Sequence, residues 1–570
     1  MTKDIPQNPP NSVDFLVVGG GPVGLLAANL AVKAGFTARI IDIEHQPNHW
    51  GRGDWIHGRT LELLESVGLA KDLLGTGVKV EKLSSFVNGK LQTSMPFVPD
   101  EIDSKYKYLL CVGQHITEST LQASLSNFDV QVERPATVTE IRELDKPKDG
   151  LYPLCATVMH MSPDSDVKNE QVYCKYLLGC DGAHSDIRHQ MGISTDGETT
   201  ETLAGVIDAL VRTNFSTGRK EVCMIQGDVA RTVSLFPREN NLTRIFVHFD
   251  PRENEIRKEQ HNRNKVQLED IQREAKRALL PYRLEFLGVL YWSVYVVGQR
   301  IAERMSAMND RVFLCGDAAH CQSPTLGQGL NTGFGDVFNL IWKISAVEKG
   351  QAKREILSTY SQERLSVASK VIDIDKVAAH AAAGHVSKDY CDAVLEHRAF
   401  TSGFGIQYNC DNLLLSRETT SSPGLLPGMR APEFKVIRYA NGTKTRLLEH
   451  ENGWLTFSVL VLAGNLETTK GIVEKIIEWK RSNKIPGCVS GFYIITTAPA
   501  DKIPDTIDKD YVFIDKLNRA QCHTAYDVRD DQAKVVVVRP DGYIGTTFEC
   551  SEKHTDPVQK IQAYFDRVAQ

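Results

Sequence analysis

The 570-residue chain lacks several things: a CxxC pair among its twelve cysteines, an apolar run long enough to cross a bilayer, a basic surplus, an internal repeat, a low-complexity tract. Each absence removes a class. Unclustered cysteines exclude a zinc ribbon and a dithiol redox centre, so the thiols read as reduced and structural. Cys180 and Cys315 close apolar strand-like runs, where buried thiols usually sit. A membrane-spanning helix needs about 20 apolar residues, and none is found. A formal net charge of −6 leaves no footprint for nucleic acid or an anionic membrane surface. Met1 to Asn11 is polar and rich in proline, unlike a signal peptide, and Arg567 to Gln570 matches no address signal, so a cytoplasmic protein is expected. His380 and His385 stand five apart in one helical stretch and share no face, so no metal site is expected.

What is present begins with Val13 to Val18, a β-branched apolar run that reads as a buried strand. Gly19-Gly20-Gly21-Pro22-Val23-Gly24 follows and opens a helical pattern that Gly35 closes. A second apolar run, Ala38 to Ile43, completes a βαβ unit. In that context the glycines read as a dinucleotide fingerprint. Gly19 makes the tight turn, Gly21 lets a pyrophosphate approach the backbone, and Gly24 lets helix and strand pack closely. The helix N-terminus offers free N–H groups to the phosphates. Asp42, 18 residues after Gly24, stands where an acid accepts from an adenosine ribose, which suits FAD or NAD better than NADP.

Further along, the texture changes. Short alternating runs at 205–211, 232–236, 243–249 and 289–297 predict an antiparallel sheet, interrupted by a helix near 266–280. A strand at 311–314 leads to a glycine-rich loop and a helix from about Gly333 to Val347, and 355–386 reads as helical. Gly, Ser and Pro loosen the stretch 400–430 around Ser421 to Gly424. Strands at 455–462, 489–497 and 534–538, with a helix near 469–479, then make a separate α/β domain.

Two more motifs narrow the cofactor. One is Asp181-Gly182-Ala183-His184-Ser185-Asp186-Ile187-Arg188. The other is Gly316-Asp317-Ala318-Ala319-His320, continuing Pro324-Thr325-Leu326-Gly327-Gln328-Gly329-Leu330-Asn331-Thr332-Gly333. With the fingerprint, and in this order over residues 13 to 370, they resemble the single-component FAD-dependent aromatic hydroxylases. Gly51-Arg52-Gly53-Asp54-Trp55-Ile56-His57-Gly58-Arg59-Thr60-Leu61-Glu62 is similar to the phenol 2-monooxygenase branch, and so is a C-terminal domain carrying Arg539-Pro540-Asp541-Gly542-Tyr543-Ile544-Gly545.

The resemblance implies an α/β protein with a Rossmann-type FAD-binding domain, interleaved with an antiparallel substrate sheet and followed by a thioredoxin-like α/β domain. The expected division is a disordered tail (1–12), an FAD-binding domain (13–200 and 300–400), a substrate sheet (201–299), a linker (401–427) and a thioredoxin-like domain without CxxC (428–570). It implies bound FAD, transient NADPH (or NADH in its place), O2 and a small aromatic substrate, in a homodimer. Asp317 would hold a ribityl or ribose hydroxyl, since an ionised carboxylate only accepts. Pro324, Gly327, Gly329, Leu330 and Asn331 would line the cofactor site, and the helix starting near Gly329 to Gly333 would point backbone N–H groups at the flavin pyrimidine edge. Arg59 and Gln114 would touch the phosphates and ribityl chain, and Asp181 would serve FAD and the passing nicotinamide. Turn or cap roles for Asp181 and Asp317, and an ion pair for Arg59, remain open readings.

The reaction implied is ortho hydroxylation of a phenol through a flavin C4a-hydroperoxide. A base that removes the phenolic proton pushes electron density into the ring. Asp54 is the candidate base, with a helix N-cap as its alternative role. The branch lines its pocket with an arginine and, two residues later, a tyrosine. Here the stretch is Arg244-Ile245-Phe246, so a phenolic donor is lost. Phe246, with Trp55 beside the base, suggests a pocket reshaped for a larger phenol. Baeyer–Villiger insertion, epoxidation or dearomatisation by the same cofactor stays open. A flavin-binding interaction module without catalysis is the alternative from another class. No WxWxIP stretch supports a halogenase.

Overall fold

The computed structural model describes residues 10–51, 53–161, 168–215, 219–227, 232–249, 266–383, 395–408, 411–416, 425–447, 453–482, 486–517, 520–550 and 556–569. Residues 1–9 of the expected tail, Ser421 to Gly424 and His385 lie outside them, and so does the side chain of His380.

The chain divides into two compact units. The first comprises Met1–Asp100, Lys105–Val337 and Val367–Phe404; the second Glu101–Ser104, Phe338–Ser366 and Gly405–Gln570. Sequence reading divided the chain elsewhere, keeping residues 338–366 with the FAD-binding segments and starting the last domain at 428. The difference has a packing cause. Trp342, Ala346, Ala352 and Ile356 share one buried cluster with Val459, Ile472 and Phe565, so the second unit is built around them.

In the first unit, strand Ser12–Val18 lies between Lys168–Gly179 and Ala38–Ile41, parallel to both. Val312–Leu314 extends the sheet in parallel beyond Lys168–Gly179, and a hairpin of Ala136–Lys148 and Tyr152–His160 continues from it. Val13, Phe15, Leu16 and Val17 are all fully buried, as a strand covered on both faces requires. Helix Pro22–Lys33 starts on a proline, whose missing N–H costs nothing there.

The unit's second sheet runs His320–Cys321, Leu284–Ala302, Thr195–Thr213, Thr243–Phe249, Thr232–Pro237, Glu221–Gln226, Lys82–Val87, Lys90–Pro96. Alternating texture pointed to a sheet from 201–299 alone. The two strands from 82–96 join because Lys82–Val87 pairs in parallel with Glu221–Gln226, a contact between segments far apart in sequence. One face of this sheet packs on helix Leu268–Ala278 through Ile207, Ile225, Val233, Ile245, Val247 and Ile271. Side chains alternate along a strand, so Asp208, Arg244, Phe246 and His248 leave by the other face. A small sheet pairs Trp55–Ile56 and Val78–Val80 with Leu109–Cys111.

The second unit is a seven-stranded sheet, in which Phe457–Leu462, Val489–Thr496 and Val512–Ile514 are parallel and the flanking strands antiparallel. Helices Lys470–Arg481 and Pro557–Val568 bury their apolar stripes in the same cluster as Trp342. Beneath it lies a fully buried ion network. The Glu363 carboxylate accepts from Arg539 at 2.6 and 2.9 Å, from Lys343 at 2.9 Å and from Asn339 at 2.8 Å. Arg539 also pairs with Asp541 at 2.6 Å. The ten described cysteines form no disulfide, and no described helix is long and apolar enough to cross a membrane.

Candidate active site

Three loops leave the C-terminal ends of adjacent parallel strands, where Val18 is in register with Gly179 and Gly179 with Leu314. They are the loops of the three motifs, and this edge of an open α/β sheet is where ligands bind. Gly19 has φ +109°, and a Cβ on it would stand 2.2 Å from the Cys180 carbonyl oxygen. A Cβ on Gly24 would meet the Gly19 oxygen at 1.9 Å. Gly21 differs: it is extended, with φ −75°, and a Cβ there would meet nothing within 4 Å. The first and third glycines are required by the protein's own packing, whereas the second faces open space. A pyrophosphate over Gly21 and the N-terminus of helix Pro22–Lys33 fits that arrangement.

Asp42 accepts from the Gly20 N–H at 2.6 Å and the Glu44 N–H at 2.8 Å. Arg134, which carries no sequence motif, lies 3.4 Å from the same carboxylate and donates to the Gly20 carbonyl at 3.3 Å. Asp181 accepts from Ser185 Oγ at 2.6 Å and the Ile187 N–H at 3.0 Å, while Ser185 itself caps helix Asp186–Gln190. Burial pushes its carboxyl above the ordinary value despite those bonds. Arg188, from the same motif, donates to the Ala318 carbonyl at 2.9 Å and so ties the second loop to the third. Asp317 in that third loop is exposed.

Helix Gln328–Glu348 begins five residues before the expected Gly333. Asn331 in its first turn accepts from the His57 N–H and donates to the carbonyls of Trp55 and Gly327, each at 2.9 Å. Gly327, φ +61°, lies so close under the Trp55 indole that a Cβ would stand 1.8 Å from it. Leu330 abuts Gly53, 3.5 Å from that residue's ideal Cβ. The Gly53 N–H donates to Gln114 at 2.9 Å, and Gln114 donates to Glu118 at 2.8 Å. Arg59 is buried and pairs with Glu62 at 2.8 Å. The open glycine, the acid at the end of the second strand, the exposed Asp317 and the amides opening helix Gln328–Glu348 suit a flavin dinucleotide.

Next to Leu330 and Gly53 is a buried cluster of five charges. Asp54 does not cap the helix Gly58–Ser66, whose N-cap is His57. Its Oδ2 instead meets Arg244 at 2.7 Å and also contacts Arg238. Arg244 pairs with Asp208 at 2.6 and 2.7 Å, and Arg238 pairs with Glu239 at 2.7 Å. The register explains the first pairing: Asp208 and Arg244 are cross-strand partners on the site face. Three acids face two guanidiniums in a dry site, so one acid is favoured to hold a proton. Arg238 and the Gly113 N–H hold Glu239 below its ordinary range. Burial pushes Asp54 up to about 7, with Asp208 and Glu239 adding to the rise and both arginines opposing it. Asp54 Oδ1 is buried and has no hydrogen-bond partner.

Three aromatic rings cluster at residues that neighbour this acid in the chain or its partner Arg244 in the sheet. Trp55 lies 4.2 Å from Phe236 between ring centroids and 6.4 Å from Phe246, and Phe236 meets Phe246 edge-on at 5.6 Å. Sequence reading brought Asp54, Trp55, Arg244 and Phe246 to one site. It missed Asp208, Phe236, Arg238 and Glu239. A charged residue within the apolar run Val206-Ile207-Asp208-Ala209-Leu210 was the available signal.

Residues 12–375 match the family described as FAD binding domain, and residues 495–570 match the phenol hydroxylase C-terminal dimerisation domain. The chain belongs to the FAD-dependent aromatic hydroxylases. The phenol 2-monooxygenase fsqG of Aspergillus fumigatus is 27% identical over 96% of both chains. The 3-hydroxybenzoate 4-monooxygenase of Comamonas testosteroni is 31% identical over 77% of this chain and 72% of its own. Among solved structures, the flavin-dependent monooxygenase PieE, in complex with FAD and substrate, superposes with a TM-score of 0.71 at 18% identity, covering 98% of this chain and 100% of that one. Aklavinone-11 hydroxylase gives 0.70 at 21% identity, with 97% and 98% covered. The hydroxylase is therefore an FAD-dependent monooxygenase with the fold of that group.

Proposed function

We propose that this hydroxylase inserts one oxygen atom ortho to the hydroxyl of a phenol larger than phenol itself, with Asp54 as the base. The observation that carries the reading is Asp54. It is a buried carboxyl brought to about 7, with one oxygen unpartnered, beside an aromatic wall. A base poised near the working pH, within reach of a phenolic proton, is what ring activation requires. Arg238 and Arg244 hold the carboxylate in place and accommodate its charge when it ionises. Trp55, Phe236 and Phe246 offer flat apolar contact and no hydroxyl, which suits a wide aromatic better than single-ring phenol.

Bound FAD supplies the electrons taken from NADPH and the activation of O2. The residues that would hold it are Gly19 to Gly24, Asp42, Asp317 and the backbone from Gly327 to Asn331. NADPH as reductant rests on the family and on the lack of a second glycine fingerprint. A homodimer rests on the match of residues 495–570 to a dimerisation domain. The resemblance to a thioredoxin-like domain rests on the mixed sheet around three parallel strands. Screening substituted phenols for stimulated NADPH oxidation, with product mass and carbon position, tests the reaction. Purified protein that takes up no FAD, or NADPH use that no phenol stimulates, overturns it.

A further inference from the structure

The site face of the second sheet continues beyond the part that the proposed reaction uses. Arg244, Phe246 and His248 leave strand Thr243–Phe249 on this face, because Ile245, Val247 and Phe249 lie in the opposite core. Antiparallel register turns each of the three into a row across the sheet. Arg244 is flanked by Asp208 and Phe236, and Phe246 by Val206 and Ser234. His248 is opposite Ala204, which in turn is opposite Tyr295. At the rise of an antiparallel strand, the third row lies about 13 Å from the first.

Arg244 of the first row holds the base, and Phe236 of the first row and Phe246 of the second belong to the aromatic wall; the third row has no part in either. Yet His248 is only 4% exposed, and its Nδ1 has no hydrogen-bond partner. Buried polar groups in a finished core are paired, so an idle ring nitrogen on a substrate face calls for an occupant. Burial lowers its pKa to about 4, so the ring is neutral and suits an uncharged partner. The second and third rows also carry no lysine or arginine to meet a carboxylate. Arg244 of the first row, and Arg238 in the turn beside it, are already committed to acids.

We propose that His248 is a specificity-determining residue that hydrogen-bonds a neutral hydroxyl or carbonyl at the far end of a substrate with more than one ring, whose phenolic end meets Asp54. The inference deepens, and rests on, the phenolic reading above.

The test is binding to the FAD-loaded protein, followed by perturbation of the flavin spectrum without turnover. The probes are biphenyl-4,4′-diol and 4-hydroxybiphenyl, which differ only in the distal hydroxyl. The native protein is expected to prefer the diol by about tenfold, the worth of one hydrogen bond in a dry site. His248→Phe brings the two dissociation constants together, and His248→Gln, which keeps a donor and an acceptor, restores part of the ratio. A merely structural role moves both constants equally and leaves the ratio intact. A native protein without preference, or a His248→Phe variant that retains it, overturns the inference while the phenolic reading stands. If neither probe binds, the phenolic reading falls and this inference with it.

Discussion

Replacing Asp54 by Asn removes the charge and the proton-accepting capacity while preserving shape. The cluster then holds two guanidiniums and two carboxylates, a balanced set, so the variant is expected to fold and to bind FAD. A positioned general base contributes about 10²- to 10⁴-fold, so kcat/KM should fall by that factor, equal to roughly 3–5 kcal/mol of transition-state stabilisation. The pH profile carries the sharper information. With Asp54 near 7, the native enzyme's base is ionised above that pH and protonated below it. Its kcat/KM should therefore be level in alkali and drop about tenfold per unit on the acid side of 7. In the Asn variant that limb should vanish. The residual rate should climb instead toward the phenol's own ionisation near about 10, because a phenolate needs no base. The assay is substrate-dependent NADPH oxidation with product quantified across pH 5 to about 10, at saturating FAD. A variant within threefold of native activity, or one that keeps the limb at 7, would falsify Asp54 as the base.

Three further outcomes follow from the geometry. Arg238→Met removes a cation beside Asp54 and the bidentate partner of Glu239, so the carboxylate is disfavoured. The acid limb should move to higher pH by about one to three units, read from the same profile. Gly21→Val adds a side chain to open space, so the apo-protein should melt normally but retain no FAD. Gly24→Ala meets a backbone oxygen at 1.9 Å and should lower the melting temperature of the apo-protein itself. Equal behaviour of those two variants would contradict the roles given to the glycines. Arg539→Leu strands Glu363 in the second unit and should cost about 3–5 kcal/mol, measured as a lower urea midpoint by tryptophan fluorescence. Arg539 and Lys343 hold the Glu363 carboxyl well below its ordinary range, so its contribution is present at neutral pH and fades in acid. The native midpoint should therefore fall more steeply in acid than that of the variant.

The glycine fingerprint, the βαβ unit and the alternating strands were legible because each is written locally, in periods of two or 3.6 residues and in turn chemistry. Asp54 and Arg244 were reached through family resemblance, and the pairing of Arg244 with Asp208 depends on a strand register that sequence spacing does not disclose. Arg238 and Glu239 sit at the turn between two strands, where charged residues are expected at a surface; their burial is a tertiary fact. The same holds for Lys82–Pro96 joining the substrate sheet, and for residues 338–366 belonging with the second unit. Local patterns specify the element, but only the partner's position specifies which core it enters.

Asn331 ends as the most consequential of the small contacts. One amide side chain fastens the loop at Gly327 to the backbone on either side of Ile56, two residues beyond the base. Under the proposed function, the loop that would lie beneath the cofactor ring and the mount of the candidate base are thereby a single mechanical part. A shift of one would carry the other along, and oxygen delivery and ring activation would keep their alignment without a separate device to synchronise them.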